Sequence, residues 1–284
     1  TGKKSSVKCL SWIADFQHLH YPNYFKLKTR MLRNLNIIFC AIHSPRILLS
    51  SYDAQKDLKK VSKKAYKKSA VSQFFFESPK KKEILSLSYL KEKFKLDNKF
   101  FYLPNQYWAH KNHIVVLKAL KYLKNNKCNY TVVSTGHKED HRNSFYFDKI
   151  QKYIKVNNLQ INYKYIGLVD YSEVISLMYH CVALINPSEF EGRHSSLEQA
   201  RSLGKQMILS KINIHKEQSP PRTLYFNKDR SPQLAKLMKK TWSNYHPQKN
   251  SFYYYKAVRQ NKLNLIKYYK DWEKVVTEVI NFSY

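Results

Sequence analysis

An α/β protein with two parallel sheets is the fold class that this sequence predicts, on three observations. Short apolar runs of strand length alternate with amphipathic helical stretches over most of the 284 residues. Such alternation makes βα repeats, whose parallel sheets are covered on both faces. A Pro- and Lys-rich stretch at 78–82 interrupts the series, and a second series follows it, as expected for a linker. Hydrophobic residues at 43% and aromatics at 15% supply real cores and exclude the composition of a disordered chain.

The first series has a strand at 7–13 and a helix after Pro22 through Phe25, Leu27, Met31, Leu32 and Leu35. A strand at 46–51, a charged helix at 53–67 and a strand at 73–77 follow. The second series runs strand 100–103, helix 112–123, strand 130–134 ending at Gly136, helix 144–156 and strand 163–168. It continues with helix 172–180, strand 182–186, helix 195–202, strands 207–210 and 223–226, and a helix at 232–242. A long helical segment at 251–282, with Trp272, Val275, Val276 and Ile280, lies beyond the last strand and is expected to pack onto the other domain. Ligands of parallel sheets bind at the carboxyl ends of the strands, which directs attention to the residues after Leu103, Ser134, Leu168 and Asn186.

The formal charge of +31 suits polyanions, including an anionic membrane leaflet, phosphorylated substrates or nucleic acid. The excess is mostly scattered Lys, accompanied by abundant Asn, Ile, Phe and Tyr, a pattern that AT-rich coding also produces. No nucleic-acid-binding motif goes with it, so nucleic acid is not an expected partner. The four cysteines are far apart with no C-x-x-C pair, which argues against a zinc ribbon or disulfide framework and suits a reducing cytoplasm. No apolar run approaches the roughly 20 residues of a membrane span. The H-K-E-D-H stretch at 137–141 lacks the H-E-x-x-H order and follows a Thr-Gly turn, so it reads as a loop and no metal site is expected.

The most informative stretch is P-S-E-F-E-G-R-H-S-S-L-E-Q-A-R-S-L-G-K, residues 187–205. It puts carboxylates, a glycine and small hydroxyl residues where a strand hands over to a helix. A helix start offers unpaired backbone N–H groups and a partial positive charge that can hold a diphosphate. Gly192 would permit close backbone approach to a ligand. Carboxylates such as Glu191 and Glu198 suit the hydroxyls of a sugar or ribose.

This segment resembles the E-x7-E signature of the retaining glycosyltransferases of family four, which have the two-domain GT-B fold. Three further blocks match in order. P-N-Q-Y-W-A-H-K-N-H at 104–113 is similar to the P-N-Q-F-W-x-H-K-N-H version in bacterial polysaccharide glycosyltransferases. W-I-A-D-F-Q-H-L-H-Y-P at 12–22 resembles a block late in the family's first domain, and I-L-S-K-I-N-I-H-K-E-Q-S-P at 208–220 is the fourth. The resemblance implies that Glu191 contacts the transferred sugar and that Lys111 neutralises the donor diphosphate. It also implies that Gly192, Ser195 and Ser196 form the turn and helix start beneath the phosphates, and that His18 faces sugar and acceptor. Glu191 and His18 are thus the expected catalytic residues; Lys111, Gly192, Ser195, Ser196, Glu198 and Gln199 are the expected donor-binding residues.

Three departures stand out. The spacing from Glu191 to Glu198 is E-x6-E, and Gln199 stands where the family's second glutamate usually does. Gln106 stands where an arginine is common. The block at 12–22 lies well inside the family's first domain, so the first domain is expected to be incomplete at its N-terminus.

The resulting expectation is a GT-B protein. Residues 1–95 form the back part of an acceptor-side Rossmann-like domain with the linker, 96–245 the donor-binding Rossmann-like domain, and 246–284 a helix returning toward the first. Its expected function is retaining hexosyl transfer from a nucleoside-diphosphate sugar to a glycan or lipid-linked acceptor in polysaccharide or lipopolysaccharide synthesis. No cofactor or obligatory metal is expected, and the location is cytoplasmic, with a basic surface suited to the inner face of the membrane. The competing readings are an inactive fragment or pseudoenzyme of that family and a basic polyanion-binding protein.

Overall fold

The computed structural model describes residues 8–140, 142–218 and 220–282. They form two compact units: Thr1–Phe76 with Phe190–His194 and Lys262–Tyr284, and Glu77–Glu189 with Ser195–Asn261.

In the first unit β1 (Leu10–Ile13) is followed by the short α1 (Gln17–His20), α2 (Leu27–His43), β2 (Arg46–Leu49), α3 (Tyr52–Val61), α4 (Lys63–Lys67) and β3 (Ser69–Val71). The three strands form one parallel sheet in the order β1-β2-β3. Alternation along the strands sends Ile13, Ile47, Leu49 and Val71 to one face, where they pack with Ile37, Ala41 and Leu58 from the helices. The expected helix at 53–67 is two helices. Ser62 ends α3, and its hydroxyl accepts the Ala65 N–H at the start of α4, so a helix cap interrupts the pattern. The third strand lies at 69–71 and not at 73–77, because its register against β2 pairs Ile47 with Ser69 and Leu49 with Val71. Val7, the expected first strand residue, lies outside the described residues.

The second unit contains α5 (Leu87–Phe94), β4 (Phe101–Pro104), α6 (His113–Asn125), β5 (Val132–Thr135), α7 (Tyr146–Val156), β6 (Tyr163–Tyr165) and α8 (Tyr171–His180). It continues with β7 (Leu184–Asn186), α9 (Ser195–Ser202), β8 (Met207–Ser210), α10 (Asn213–Gln218), β9 (Thr223–Phe226) and α11 (Ser231–Ser243). All neighbouring pairs in the six-stranded sheet are parallel, in the order β6-β5-β4-β7-β8-β9. Two apolar cores cover its faces. Phe101, Leu103, Val132, Ile185 and Ile208 point into one; Tyr102, Val133, Leu184, Met207 and Leu209 point into the other.

The second unit begins at Glu77, ahead of the sequence-based division at 95, because α5 packs with α8 and Leu90 is fully buried in its core. The last helix, α12 (Asn250–Ile280), has its residues to Asn261 in the second unit and those from Lys262 in the first. Among the described residues no helix is long and apolar enough to cross a membrane.

Candidate active site

The strand order of the second unit reverses direction between β4 and β7, its first and fourth strands. In open parallel sheets the crevice at such a reversal, beyond the carboxyl ends of the strands, is where ligands bind. Two of the segments singled out in the sequence lie there. The chain leaving β4 forms the turn that carries Lys111, and the chain leaving β7 leads to α9. The two loops are joined directly, since the Glu189 N–H donates to the His110 carbonyl at 2.8 Å.

The Lys111 turn is built from its neighbours. Lys111 N–H donates to the Trp108 carbonyl, closing a single 3-10 turn. Asn112 leaves it in the left-handed conformation at φ 51° and donates its side-chain N–H to the Lys228 carbonyl at 3.1 Å; asparagine tolerates this region better than most residues. Tyr107 is fully buried, stacks on His113 at 4.2 Å and donates its hydroxyl to Ser134, so it braces the loop. Gln106 accepts the His137 N–H at 2.6 Å, tying the turn to the loop after β5. That loop passes so close that a Cβ on Gly136 (φ 138°) would lie 2.3 Å from the Asn105 carbonyl oxygen, a position open only to glycine. Lys111 itself is only 8% exposed. His113 is wholly buried, and burial, reinforced by the nearby Lys111 and His110, holds its pKa down at about 3.

Ser195 and Ser196 occupy the first turn of α9, where helix N–H groups have no partner within the helix. Glu198 and Gln199 differ sharply. Glu198 is 1% exposed; its carboxylate pairs with Arg201 at 3.0 Å and accepts the Gln218 side-chain N–H at 2.8 Å. Gln199 is partly exposed. Glu198 therefore holds α9 to the end of α10 and is turned away from the surface, a role not visible from its spacing to Glu191.

The remaining sequence candidates belong to the first unit. The backbone at Gly192 runs against the chain after β1: an added Cβ would lie 2.5 Å from the Ala14 carbonyl oxygen, and Ser51 donates its hydroxyl to the Gly192 carbonyl at 2.9 Å. The close approach that requires glycine here is to the protein's own backbone. Glu191 lies 3.3 Å from His194, and both are largely buried. His18, on α1, is buried with both ring nitrogens engaged. Arg33 donates to Nδ1 at 3.1 Å, so Nε2 carries the proton and donates to the Asn34 side-chain oxygen at 2.9 Å. Burial, chiefly, lowers its pKa; the bond to Asn34 opposes this. His18 is thus a neutral, fixed ring.

Several partners were not evident from sequence spacing. Arg33 also pairs with Asp15 at 2.7 Å, and His20 pairs with the buried Asp57 at 2.6 Å while its ring lies 5.1 Å from Phe190. No local pattern signals such contacts, since they join residues far apart in the chain: Asp15 to α2, and His20 of α1 to α3 and to Phe190. Among the described residues no group of three or more His, Cys, Asp or Glu residues is arranged to hold a metal ion. His141, half of the H-K-E-D-H pair, lies outside the described residues.

Comparison with known proteins agrees with this architecture. Anabaena HepE, crystallised with UDP and glucose, is similar with a TM-score of 0.77 at 14% identity, over 95% of this chain and 71% of that one. A glycosyltransferase from Rickettsia africae gives 0.72 at 17% identity, over 99% and 73% of the two chains. Sucrose-phosphate synthase from Thermosynechococcus elongatus gives 0.72 at 13%, over 96% and 69%. The fold is therefore GT-B, with two Rossmann-like parallel-sheet domains. None of the curated protein sequences matches the chain. The family model for glycosyl transferases group 1 matches residues 89–262. This protein, in which that match embraces both the Lys111 turn and α9, belongs to the group 1 glycosyltransferases.

Proposed function

We propose that the second unit binds a nucleoside-diphosphate sugar at the reversal between β4 and β7 and that the protein transfers the sugar, a hexose, with retention. The observation that carries this reading is the placement of a nearly buried lysine and a helix start at the ends of those two adjacent strands. Lys111 and the first amides of α9, with Ser195 and Ser196, would hold the diphosphate as it departs; preorganised cations and N–H groups stabilise such a leaving group. Gln199 would meet the ribose, in preference to Glu198, which is consumed by Arg201 and Gln218. Glu191 would contact the transferred sugar. His18, held neutral by Arg33 and Asn34, would present a fixed ring edge, a positioning role and not that of a base. No cofactor or metal is assigned to these steps.

UDP is the first nucleotide to test, because HepE was crystallised with it. Calorimetric titration with UDP, GDP and ADP is expected to give saturable binding of one of them. Lys111→Ala should weaken it by about 10- to 100-fold, the loss of one charge-assisted hydrogen bond worth roughly 1.5–3 kcal/mol. Equal affinity in the variant would remove Lys111 from the site. Absence of binding to all three in a folded sample would favour an inactive member of the family.

The finer assignment is to family four and to bacterial polysaccharide synthesis, with a glycan or lipid-linked acceptor at the cytoplasmic membrane face. The blocks at 12–22 and 104–113 and the net charge of +31 support it. Co-sedimentation with anionic vesicles, weakening as salt rises, is the expected result; no binding at low salt would overturn the membrane part.

A further inference from the structure

The second unit's sheet carries a separate cavity at the end opposite the β4–β7 crevice. It lies at the amino ends of β7, β8 and β9 and measures about 230 Å³. Gln206 and Arg222, each one residue ahead of a strand, form part of its wall. The last turn of α11, the connection that follows and the first turn of α12 form the rest. Every lining residue belongs to the second unit.

The lining is basic and polar. Arg222, Lys240, His246 and Lys249 contribute to it, and no Asp or Glu does. The side chains of Lys240, His246 and Lys249 are exposed and have no partner among the described residues. Arg222, by contrast, is fixed. It donates to the Gly204 carbonyl at 2.7 Å, and its guanidinium lies 3.4 Å over the Tyr253 ring. One of its five N–H groups is thereby used, which leaves the planar fork able to take a bidentate acceptor. Its backbone is in the left-handed region at φ 61°, a strained conformation for a residue with a Cβ. Most lysines of a basic chain point into open solvent, where water and salt screen them. Here four basic groups converge on one concave space without a countercharge, and a cleft lined by one sign of charge concentrates ligands of the other. The volume falls below the roughly 300–1,000 Å³ of drug-sized pockets, which favours a phosphate or diphosphate over a whole nucleotide.

We propose that this cavity binds a phosphate-group anion at a site separate from that of the donor nucleotide. Arg222 would take two of its oxygens, Lys240 and Lys249 would balance its charge, and the Asn244 amide would donate to a further oxygen. The bound anion would join the amino end of β9 to the turn between α11 and α12. This site does not depend on the nucleotide reading, because Lys111 and the start of α9 lie at the opposite ends of the strands.

The test is calorimetric titration of the full chain with pyrophosphate. Saturable binding is expected, and it should persist in Lys111→Ala. Arg222→Gln and, separately, the Lys240→Gln/Lys249→Gln double variant should each weaken it by about tenfold or more. The Lys239→Gln/Lys256→Gln double variant removes the same charge from exposed positions of the same two helices outside the cavity, and should change affinity by less than about twofold. Melting curves identify any variant that has not folded; the Lys240 and Lys249 side chains have no partners to lose, so that double variant decides if Arg222→Gln unfolds. Competition by vesicles separates the two sources of such an anion. Displacement of pyrophosphate by phosphatidic acid vesicles, and not by phosphatidylcholine ones, assigns a lipid headgroup; undisturbed binding assigns a free phosphate. Absence of saturable binding, loss of binding in Lys111→Ala, unchanged affinity in the folded cavity variants, or an equal fall in the outside double variant would each overturn the proposal.

Discussion

Glu198→Ala is expected to lower the stability of the folded chain by about 3 kcal/mol or more, whereas Gln199→Ala should change it by no more than about 0.5 kcal/mol. Removing the Glu198 carboxylate leaves Arg201, itself largely buried, without its ion-pair partner and takes an acceptor from Gln218. Breaking a buried pair costs more than the pair contributes, because the remaining charge stays desolvated. Gln199 is partly exposed, so its removal should instead weaken nucleotide binding. Denaturant unfolding of the two variants separates the roles. A stable Glu198→Ala protein that has lost nucleotide affinity would return Glu198 to the donor site and contradict the assignment.

The second large effect is acid sensitivity at His113. The unfolded chain takes up a proton on this residue near pH 6.5, whereas the folded chain refuses it until about pH 3. Its contribution is therefore fully present above pH 6.5 and declines as the pH falls through the window from 6.5 to 3. By pH 4 the loss amounts to roughly 3 kcal/mol. His18 and His180 are also lowered by burial and act in the same direction. The clean measurement is thus a difference: His113→Phe, which keeps a ring against Tyr107, should show a shallower fall in stability between pH 6.5 and 4. Identical slopes for variant and parent would mean that His113 is protonated in the folded protein.

Much of the second unit is readable in the sequence, because its strands are short apolar runs buried on both faces and their spacing leaves room for only one helix between each pair. The first unit is harder. Phe74, Phe75 and Phe76 look like a strand, yet the ladder uses Ser69, Ala70 and Val71. Arg193 lies over the Phe74 and Phe75 rings at 5.3 and 5.6 Å and donates to the Phe74 carbonyl, so tertiary contacts use those aromatics otherwise. The short α5 and α10 carry too few turns for a period to show.

At the site, the Lys111 turn and the start of α9 were legible from motif blocks. The burial of Glu198 against Arg201 and Gln218 was not. Consecutive helix residues point about 100° apart, so Glu198 and Gln199 meet different surroundings, and only the positions of Arg201 and Gln218 show which of them is taken up within the fold. Gly192 carries the same lesson: its motif indicates a tight approach, and the fold shows that Ala14 is what it approaches.

The most direct test of the donor site is amide hydrogen exchange of the full chain with and without saturating UDP. Slowed exchange confined to residues 108–112 and 195–199, and absent in Lys111→Ala at the same nucleotide concentration, is the expected result. Exchange unchanged in both segments while UDP is demonstrably bound would place the nucleotide elsewhere and contradict the assignment of the β4–β7 reversal as its site.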